Sequence, residues 1–545
     1  MEKPTNFIEH EIIKDLGENT SRLVTRFPPE PGGYVHIGSA KAIHINHGIA
    51  KHFGGKFHLR MDDTDPTKKD MDHYAESIKE SMKWMGTEWD ELFYASDYFG
   101  QLYEYALHLI RKGVAYVCDL SAEETREYRG TLSESGKNSP YRERSIEENL
   151  DLFERMKAGE FPEGARTLRA KIDMTSSNMN MRDPIIYRII HAEHYNAPGW
   201  CIYPTYDYAH PLEDAIEGVT HSLCGMEFED HRPIYDWCLE QIGFENPPRQ
   251  IEFAELRLSN AVVGKRHIRK LIADGVIEGW DDPRLMTISG MRRRGYTPES
   301  IRDFIEKNGV SKAQSTVDIG FLEFCLREDL ALKSKVVMAV LDPIKLIITN
   351  YPEGQSEMLI MPNNPKNPDF GERVIPFGRE LYIEREDFEE IPPPKYHRLY
   401  PGNEVRLAGA YFVTCTDVIK DAGGNVVEIH ATYDPETKSG SGFTARKVKG
   451  TIHWVSAVKG VPIRANLLDY LFIDDDTAEE GFRLNENSLI ITENAIAEPS
   501  ILNATKDDRL QFMRNAFFCL DEKTSIEDKL AFNRVVEMKS SYKPN

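Results

Sequence analysis

Apolar positions recur along this chain with two periods, and the change from one to the other divides it. Over about residues 20–97, short β-rich runs such as Leu23–Val24 alternate with stretches of helical spacing, the first through Ala40, Ile43, Ile45 and Ile49. That alternation predicts half of a doubly wound parallel sheet. Amphipathic helices and the polar stretch SESGKNSPYRERS interrupt it over about 98–199, as an insertion at the carboxyl edge of a sheet would. Sheet pattern resumes at 200–206, and 215–237 supplies another unit. Helical periodicity with many charges covers about 264–332, punctuated by the turn signals GWDDPR and RRRGYTPES. After Lys333 the period becomes that of strands. Runs at 336–341, 345–349, 405–414, 426–433 and 450–455 alternate with Pro, Gly and Asp clusters, enough for two small β-barrels.

A chain of 545 residues is too long for one core. With 40% hydrophobic and 29% charged residues it has the composition of a soluble globular protein. No apolar run approaches the ~20 residues of a membrane span, and residues 1–15 lack the apolar centre of a secretory signal. Seven widely spaced cysteines without a Cys-x-x-Cys pair suggest neither a disulfide frame nor a zinc site, so the cytoplasm is the expected compartment. The net charge of −22 argues against indiscriminate nucleic-acid binding. It leaves room for a selective RNA that meets the basic clusters at 265–270, 292–294 and 446–449, each of which taken alone reads as a solvated charged face.

Residues 26–39, RFPPEPGGYVHIGS, carry the densest chemistry. A strand feeds an extended double-proline segment, a Gly-Gly turn and a helix opening at His36-Ile37-Gly38. Unpaired N–H groups and the positive dipole end at a helix start favour an anion. The imidazole can donate to a phosphate, and Gly38 lets a ligand approach bare backbone. Many strand–turn–helix units carry a Gly and a His and bind nothing, so the neighbouring residues decide.

Those neighbours resemble the first signature of the class I aminoacyl-tRNA synthetases, in the form of the glutamyl/glutaminyl subfamily. Further blocks match the glutaminyl branch: LRMDDTDP at 59–66, YRGTLSESGKNSPYR at 128–142, CIYPTYDYAH at 201–210, the stretches 221–232 and 279–296, and RKVKGTIHWVSA at 446–457. The resemblance runs from Asn6 to about Lys539. It implies an α/β plus all-β fold: a Rossmann-type core in two halves (1–97 and 200–263), an acceptor-stem-binding insertion (98–199), a helical subdomain with the second ATP motif (264–332), and two anticodon-binding β-barrels (333–545).

The activity it implies joins glutamine to ATP, with Mg2+, as an aminoacyl-adenylate and passes the acyl group to the 3′ end of tRNA(Gln). The subfamily pattern further implies a monomer, with neither DNA nor a membrane as partner. Charge gathers on phosphorus in that transition state, so the site needs donors and cations rather than a nucleophile. By resemblance His36 and Lys265 are catalytic, and Pro29, Glu30, Pro31, Gly38, Ser39, Leu256, Val263 and Gly264 complete the ATP site. No dedicated carboxylate cage for the magnesium is visible. The chain departs from the family at Ser39 for a histidine, at Gly264 for the serine before Lys265, and at Glu255 for an arginine. A diverged paralogue with impaired or retuned activity, or a non-catalytic tRNA-binding protein, therefore stands as the alternative. A dinucleotide oxidoreductase is disfavoured, because no Gly-x-Gly-x-x-Gly follows the first strand.

The amino-acid pocket carried over by motif is Arg26, Asp62, Tyr206, His210, Cys224 and Gln250. Asp62 suits the α-ammonium, Arg26 the neighbourhood of the α-carboxylate, and Tyr206 with Gln250 a side-chain amide. Glutamyl enzymes carry an arginine where Cys224 stands, and an unpaired γ-carboxylate would be costly there, which favours glutamine over glutamate. For RNA, Leu132 matches an apolar wedge for the first base pair and Asp230 an acidic reader of the acceptor stem. Arg398, Arg406, Gln511 and Arg514 match anticodon-bonding positions. Two further family arginines appear as Val336, beside Lys335, and as Ala408.

Overall fold

In a computed structural model of the chain, residues 4–17, 19–539 and 542 are described. The chain forms two units, Met1–Arg257 with Ile305–Thr316, and Leu258–Phe304 with Val317–Asn545.

The first unit starts with α1 (Phe7–Leu16), capped by Asn6, whose side chain accepts the Glu9 N–H at 3.1 Å. Then come β1 (Val24–Phe27), α2 (Ile37–His52), β2 (Lys56–Met61), α3 (Met71–Trp84) and β3 (Glu91–Tyr94). The three strands run parallel in the order β1-β2-β3, with Arg26 opposite His58 and Leu59 opposite Leu92. Ile8 and Ile12 of α1 and Ile45 and Ile49 of α2 share one buried cluster with Leu23 and Phe253, so the helical spacing read from the sequence is the spacing that packs.

An antiparallel domain interrupts this pattern. It contains α4 (Phe99–Arg111), β4 (Ala115–Cys118), α5 (Ala122–Arg129), α6 (Ile146–Lys157), β5 (Thr167–Ala170), β6 (Ile185–Ile189) and β7 (Ile202–Pro204). Its strands lie in the order β4-β5-β6-β7, and α4 and α6 pack into a core that includes Leu109, Phe153, Leu168 and Tyr187. The run at 200–206, expected to resume the parallel sheet, supplies β7, which pairs antiparallel with β6. Three alternating residues carry no information about which sheet they join, and the short return from β6, closed by Ile190 N–H to Cys201 O at 2.9 Å, makes the local partner win.

Parallel pairing returns with α7 (Tyr206–Ile216), β8 (His221–Gly225), α8 (Arg232–Ile242) and β9 (Arg249–Phe253). β8 and β9 are parallel, and the Thr220 N–H bonded to Val24 O at 3.0 Å sets the start of β8 beside β1. The carboxyl ends of β1, β2 and β8 thus converge on one edge, where an open parallel sheet places its ligand crevice.

The second unit combines helices, among them Lys265–Ala273, Ile288–Arg294 and Ile319–Lys333, with two seven-stranded sheets. In one sheet the end strands are Lys335–Val337 and Ala339–Val340; in the other they are Thr451–Ile452 and Val455–Ser456. Each sheet therefore has both ends supplied by one continuous segment, which curls it towards a barrel. The expected single strand at 405–414 is a hairpin, Glu404–Leu407 against Phe412–Lys420, turned at Gly409 with φ of 67°.

Candidate functional site

His36 caps α2. Its extended backbone (φ −121°) precedes the helix, and Nδ1 accepts the Ser39 N–H at 3.4 Å. With Nδ1 accepting, the neutral ring carries its proton on Nε2, a donor at the positive end of the helix dipole. Gly38 lies close beside it: a Cβ would stand 3.0 Å from the imidazole, so the ring would have to give, and 3.7 Å from Leu256 O. Gly38, Ser39 and Leu256 are thus brought together. Lys41, absent from the sequence reading, fixes this junction: buried in α2, its ammonium donates to Ala254 O at 2.8 Å. A lone lysine on an otherwise apolar helix face was the available signal.

The proline segment joins the crevice through Pro29 O, which accepts the Asp62 N–H at 2.9 Å, while Glu30 pairs with Lys68 at 2.9 Å. Burial pushes the Asp62 carboxyl up, with Thr64 donating to it at 3.0 Å. Beside it Asp63 accepts from Ser96 and Tyr195, at 2.7 and 2.9 Å, and anchors the loop.

Arg26 is completely enclosed. Nε and Nη2 grip Asp214 at 3.0 and 3.1 Å, Nη1 donates to Leu223 O at 3.2 Å, and Nη2 also meets Ser222 Oγ and His210 Nε2. Asp214 further accepts from Arg60 and Tyr235, each at 2.8 Å. Despite burial, the Arg26 and Arg60 guanidiniums hold its carboxyl well below the usual range. His210 lies between the two arginines, its Nδ1 2.9 Å from Arg60 Nη2, and burial with those cations keeps it neutral. Its ring stacks on Tyr206 at 4.7 Å, and Tyr206 in turn lies in the field of Arg26, Cys224 and Asp62. Five of the six predicted pocket residues, Arg26, Asp62, Tyr206, His210 and Cys224, therefore share one neighbourhood.

Gln250, on β9 beside β8, completes the set. Its Nε2 lies 3.0 Å from Phe228 O and 2.9 Å from Glu252 Oε1, both acceptors, so the NH2 must face them and the remaining polar atom is the amide oxygen. Glu252 is fixed by Arg232 through two bonds of 2.8 and 2.7 Å. Burial pushes the Cys224 thiol up, which keeps it protonated.

Leu132 is 87% exposed on a polar loop. The loop is shaped by Arg182, a buried residue the sequence reading passed over, whose Nη1 lies 2.8, 2.8 and 2.9 Å from the carbonyls of Arg129, Thr131 and Glu134. Asp230 is exposed and its carbonyl accepts from Asn178 and Asn180 at 2.7 and 3.2 Å.

In the second unit Lys265 is the first residue of its helix, after Val263 and the N-cap Gly264. The helix packs through Ile268 and Leu271 on Leu471 and Phe472. Of the cluster 292–294, Arg293 pairs with Asp521 at 3.1 and 2.9 Å, and buried Arg294 donates to Val535 O at 3.1 Å. These two arginines are internal struts rather than a solvated face. Of the residues expected at anticodon-bonding positions, Arg398 and Arg514 meet at Asp387, Arg406 lies over the Phe412 ring at 4.2 Å, and Gln511 sits on the strand paired with Val336. Val336 and Ala408 are buried, while Lys335 is exposed and pairs with Asp508 at 2.9 Å. All seven cysteines are free thiols.

Three family models match the chain: tRNA synthetases class I (E and Q), catalytic domain, over residues 22–331, and two models of the anti-codon binding domain of the same group, over 336–434 and 451–521. Proteins named glutamine--tRNA ligase are similar to it almost end to end. The one from Clostridioides difficile is 58% identical over 99% of this chain and 98% of its own, and the one from Clostridium perfringens 57% identical over 99% of both. The one from Pseudomonas aeruginosa is 53% identical over 98% of both chains.

Proposed function

The chain belongs to the class I (E and Q) tRNA synthetases, and we propose that its pocket residues carry out the ligation of glutamine to tRNA as follows. The substrate carboxylate attacks the α-phosphate of ATP, pyrophosphate leaves, and a ribose hydroxyl of the tRNA 3′ end then takes the acyl group, releasing AMP. His36 Nε2–H donates to phosphate oxygen, and by the family pattern Lys265 is the cation that answers the negative charge as it builds. Magnesium enters as part of the nucleotide substrate; among the described residues no group of three or more His, Cys, Asp or Glu is arranged to hold a metal ion.

Asp62 receives the α-ammonium. Burial raises its pKa, and an ammonium beside it favours the charged carboxylate. Arg26 acts from behind the pocket, holding His210 and Asp214 under the Tyr206 ring rather than reaching past them.

The observation that carries the choice of glutamine is the Gln250 amide. Its NH2 is held by Phe228 O and Glu252, so what it offers a substrate is an acceptor, suited to the donor end of a side-chain amide and repelled by a γ-carboxylate. Protonated Cys224 adds no cation that would favour glutamate.

Two of the departures, Ser39 and Glu255, fit this reading. The imidazole is oriented by the backbone N–H of Ser39, which any side chain at that position leaves in place. Partial burial and a hydrogen bond shared with Glu255 push the Glu227 carboxyl up to about 7, so near neutral pH it is about half protonated and the pair carries roughly half a negative charge fewer than its number suggests. The chain's lack of a helix long and apolar enough to span a membrane, among the described residues, suits work in the cytoplasm.

ATP-dependent charging of total tRNA with labelled glutamine, run beside glutamate, tests the reading. Glutamine should be incorporated and glutamate not. A protein that binds tRNA but charges neither amino acid would return the diverged, non-catalytic alternative.

A further inference from the structure

Arg398 and Arg514 are 116 positions apart in sequence, yet one carboxylate holds both. Asp387 lies just after the strand Glu380–Glu384 and is 0% exposed. Its Oδ2 accepts Arg514 Nη1 at 2.6 Å and Oδ1 accepts Nη2 at 2.7 Å, while Arg398 Nε stands 3.3 Å from Oδ1. The Asp387 carbonyl also accepts the Leu399 N–H at 2.9 Å, which registers the segment carrying Arg398.

Arg514 is held from a second side. Its Nη1 is 3.2 Å from Nδ1 of His453, itself 1% exposed, and His453 Nε2 lies 3.4 Å from Glu384 Oε1. Facing a guanidinium donor, Nδ1 must accept, so the proton sits on Nε2, which makes no hydrogen bond among the described residues although Glu384 stands on that side of the ring. Glu384 also accepts the N–H groups of Leu341 and Asp342 and the amide of Asn515, the residue after Arg514, at 2.9, 3.0 and 3.0 Å. Arg514 needs such restraint because its own backbone is left-handed, with φ of 67°. His453 belongs to the block RKVKGTIHWVSA, which the ligation chemistry leaves without a task.

A buried carboxylate that served the core alone would pair with buried cations. Here both partners lead outward: the side chains of Arg398 and Arg514 are 37% and 28% exposed. The end-on grip on Nη1 and Nη2 leaves Arg514 its Nε–H and a second Nη2 hydrogen on the outer edge.

We propose that Asp387, with His453 behind it, is the positioning pair that sets the two arginines at a fixed spacing and orientation for the anticodon bases, and so determines anticodon selectivity. This rests on the reading of Arg398 and Arg514 as base-contacting residues. Positioning acts on discrimination because a splayed base is recognised by donors at set angles, and an unrestrained guanidinium bonds several bases about equally.

The test uses the full chain with transcripts of the cognate tRNA, native or with one anticodon base replaced. In Asp387→Asn the tRNA KM should rise about tenfold, and the preference for the native anticodon should fall at least about tenfold, the loss of one charge-assisted pair. KM for glutamine and for ATP should stay unchanged. Asp387→Glu, which keeps the charge but displaces it by a methylene, should show the same pattern and serves if the amide variant does not fold. Native discrimination in a folded Asp387 variant would overturn the proposal. Arg398→Ala and Arg514→Ala run alongside separate the two levels. If they too keep native discrimination, the arginines do not read bases; if they lose it while the Asp387 variants do not, only the positioning role fails.

Discussion

Glu217 presses its carboxylate on Arg60 Nη1 at 2.7 Å with its side chain closed to solvent, and burial raises its pKa from the ordinary 4.5 to about 7. A carboxyl raised on folding contributes stability that is complete below the unfolded value and lost as pH climbs through the folded one. His210, held neutral below its ordinary value, works in the opposite sense. Glu217→Gln isolates the first effect. Between pH 5 and 8 the Tm of the native chain should fall relative to this variant by at least roughly 2 °C, the shift that about 1 kcal/mol gives in a unit of this size. A difference independent of pH would mean that Glu217 does not change its charge in this range. Such a cluster is invisible in sequence: Arg60, Glu213 and Glu217 read as ordinary charged positions, and only the turn of α7 against β2 encloses them.

At the scale of elements, the helix Ile288–Arg294 shows where a charge run misleads. Arg293 spans to the buried carboxylate of Asp521, and Arg294 reaches the Val535 carbonyl of a neighbouring strand. Arg293→Ala should therefore destabilise the protein by about 3 kcal/mol, the cost of leaving a buried charge unpaired, and leave tRNA affinity in the remaining folded protein unchanged. Thermal melts beside a tRNA binding titration check both parts; lost affinity at native stability would make Arg293 an RNA contact. What the sequence made legible was period. The α2 stripe, the parallel strands and the β-region after Lys333 follow from spacing alone. Partnership was not legible: β7 joins an antiparallel sheet, one expected strand is a hairpin, and the closure of both seven-stranded sheets depends on segments 335–340 and 451–456 being shared between sheet ends. The motif residues at the crevice were named because their types follow a family pattern, whereas Lys41 and Arg182 act through backbone carbonyls, which leave no mark on residue spacing.

The molecule as a whole carries −22 and still has to take a polyanion. Four of its candidate RNA-facing cations answer this by being paired in advance: Arg398 with Glu386 at 3.0 Å, Arg446 with Glu404 and Asp434 at 2.6 and 2.7 Å, Lys335 with Asp508 at 2.9 Å, and Arg514 with Asp387. A cation already neutralised by a protein carboxylate attracts stray phosphates weakly, which protects selectivity. It also has no phosphate-like counter-ion exchange to drive its transfer. For nucleic acids affinity falls with salt because bound counter-ions are released, with a slope of about −0.7 to −0.9 per phosphate neutralised. Six bare cations would give a slope of roughly −4 to −5 on logarithmic axes. Here the slope for tRNA affinity between about 50 and 200 mM salt should be near −2 or shallower, because most contacts exchange one anion for another. Replacing Glu404 and Glu386 by glutamine should steepen it and raise affinity for non-cognate tRNA more than for cognate. A native protein with a slope of −4 or beyond would show that the carboxylates leave their arginines free in solution, and that shape and base contacts alone keep the wrong RNA away.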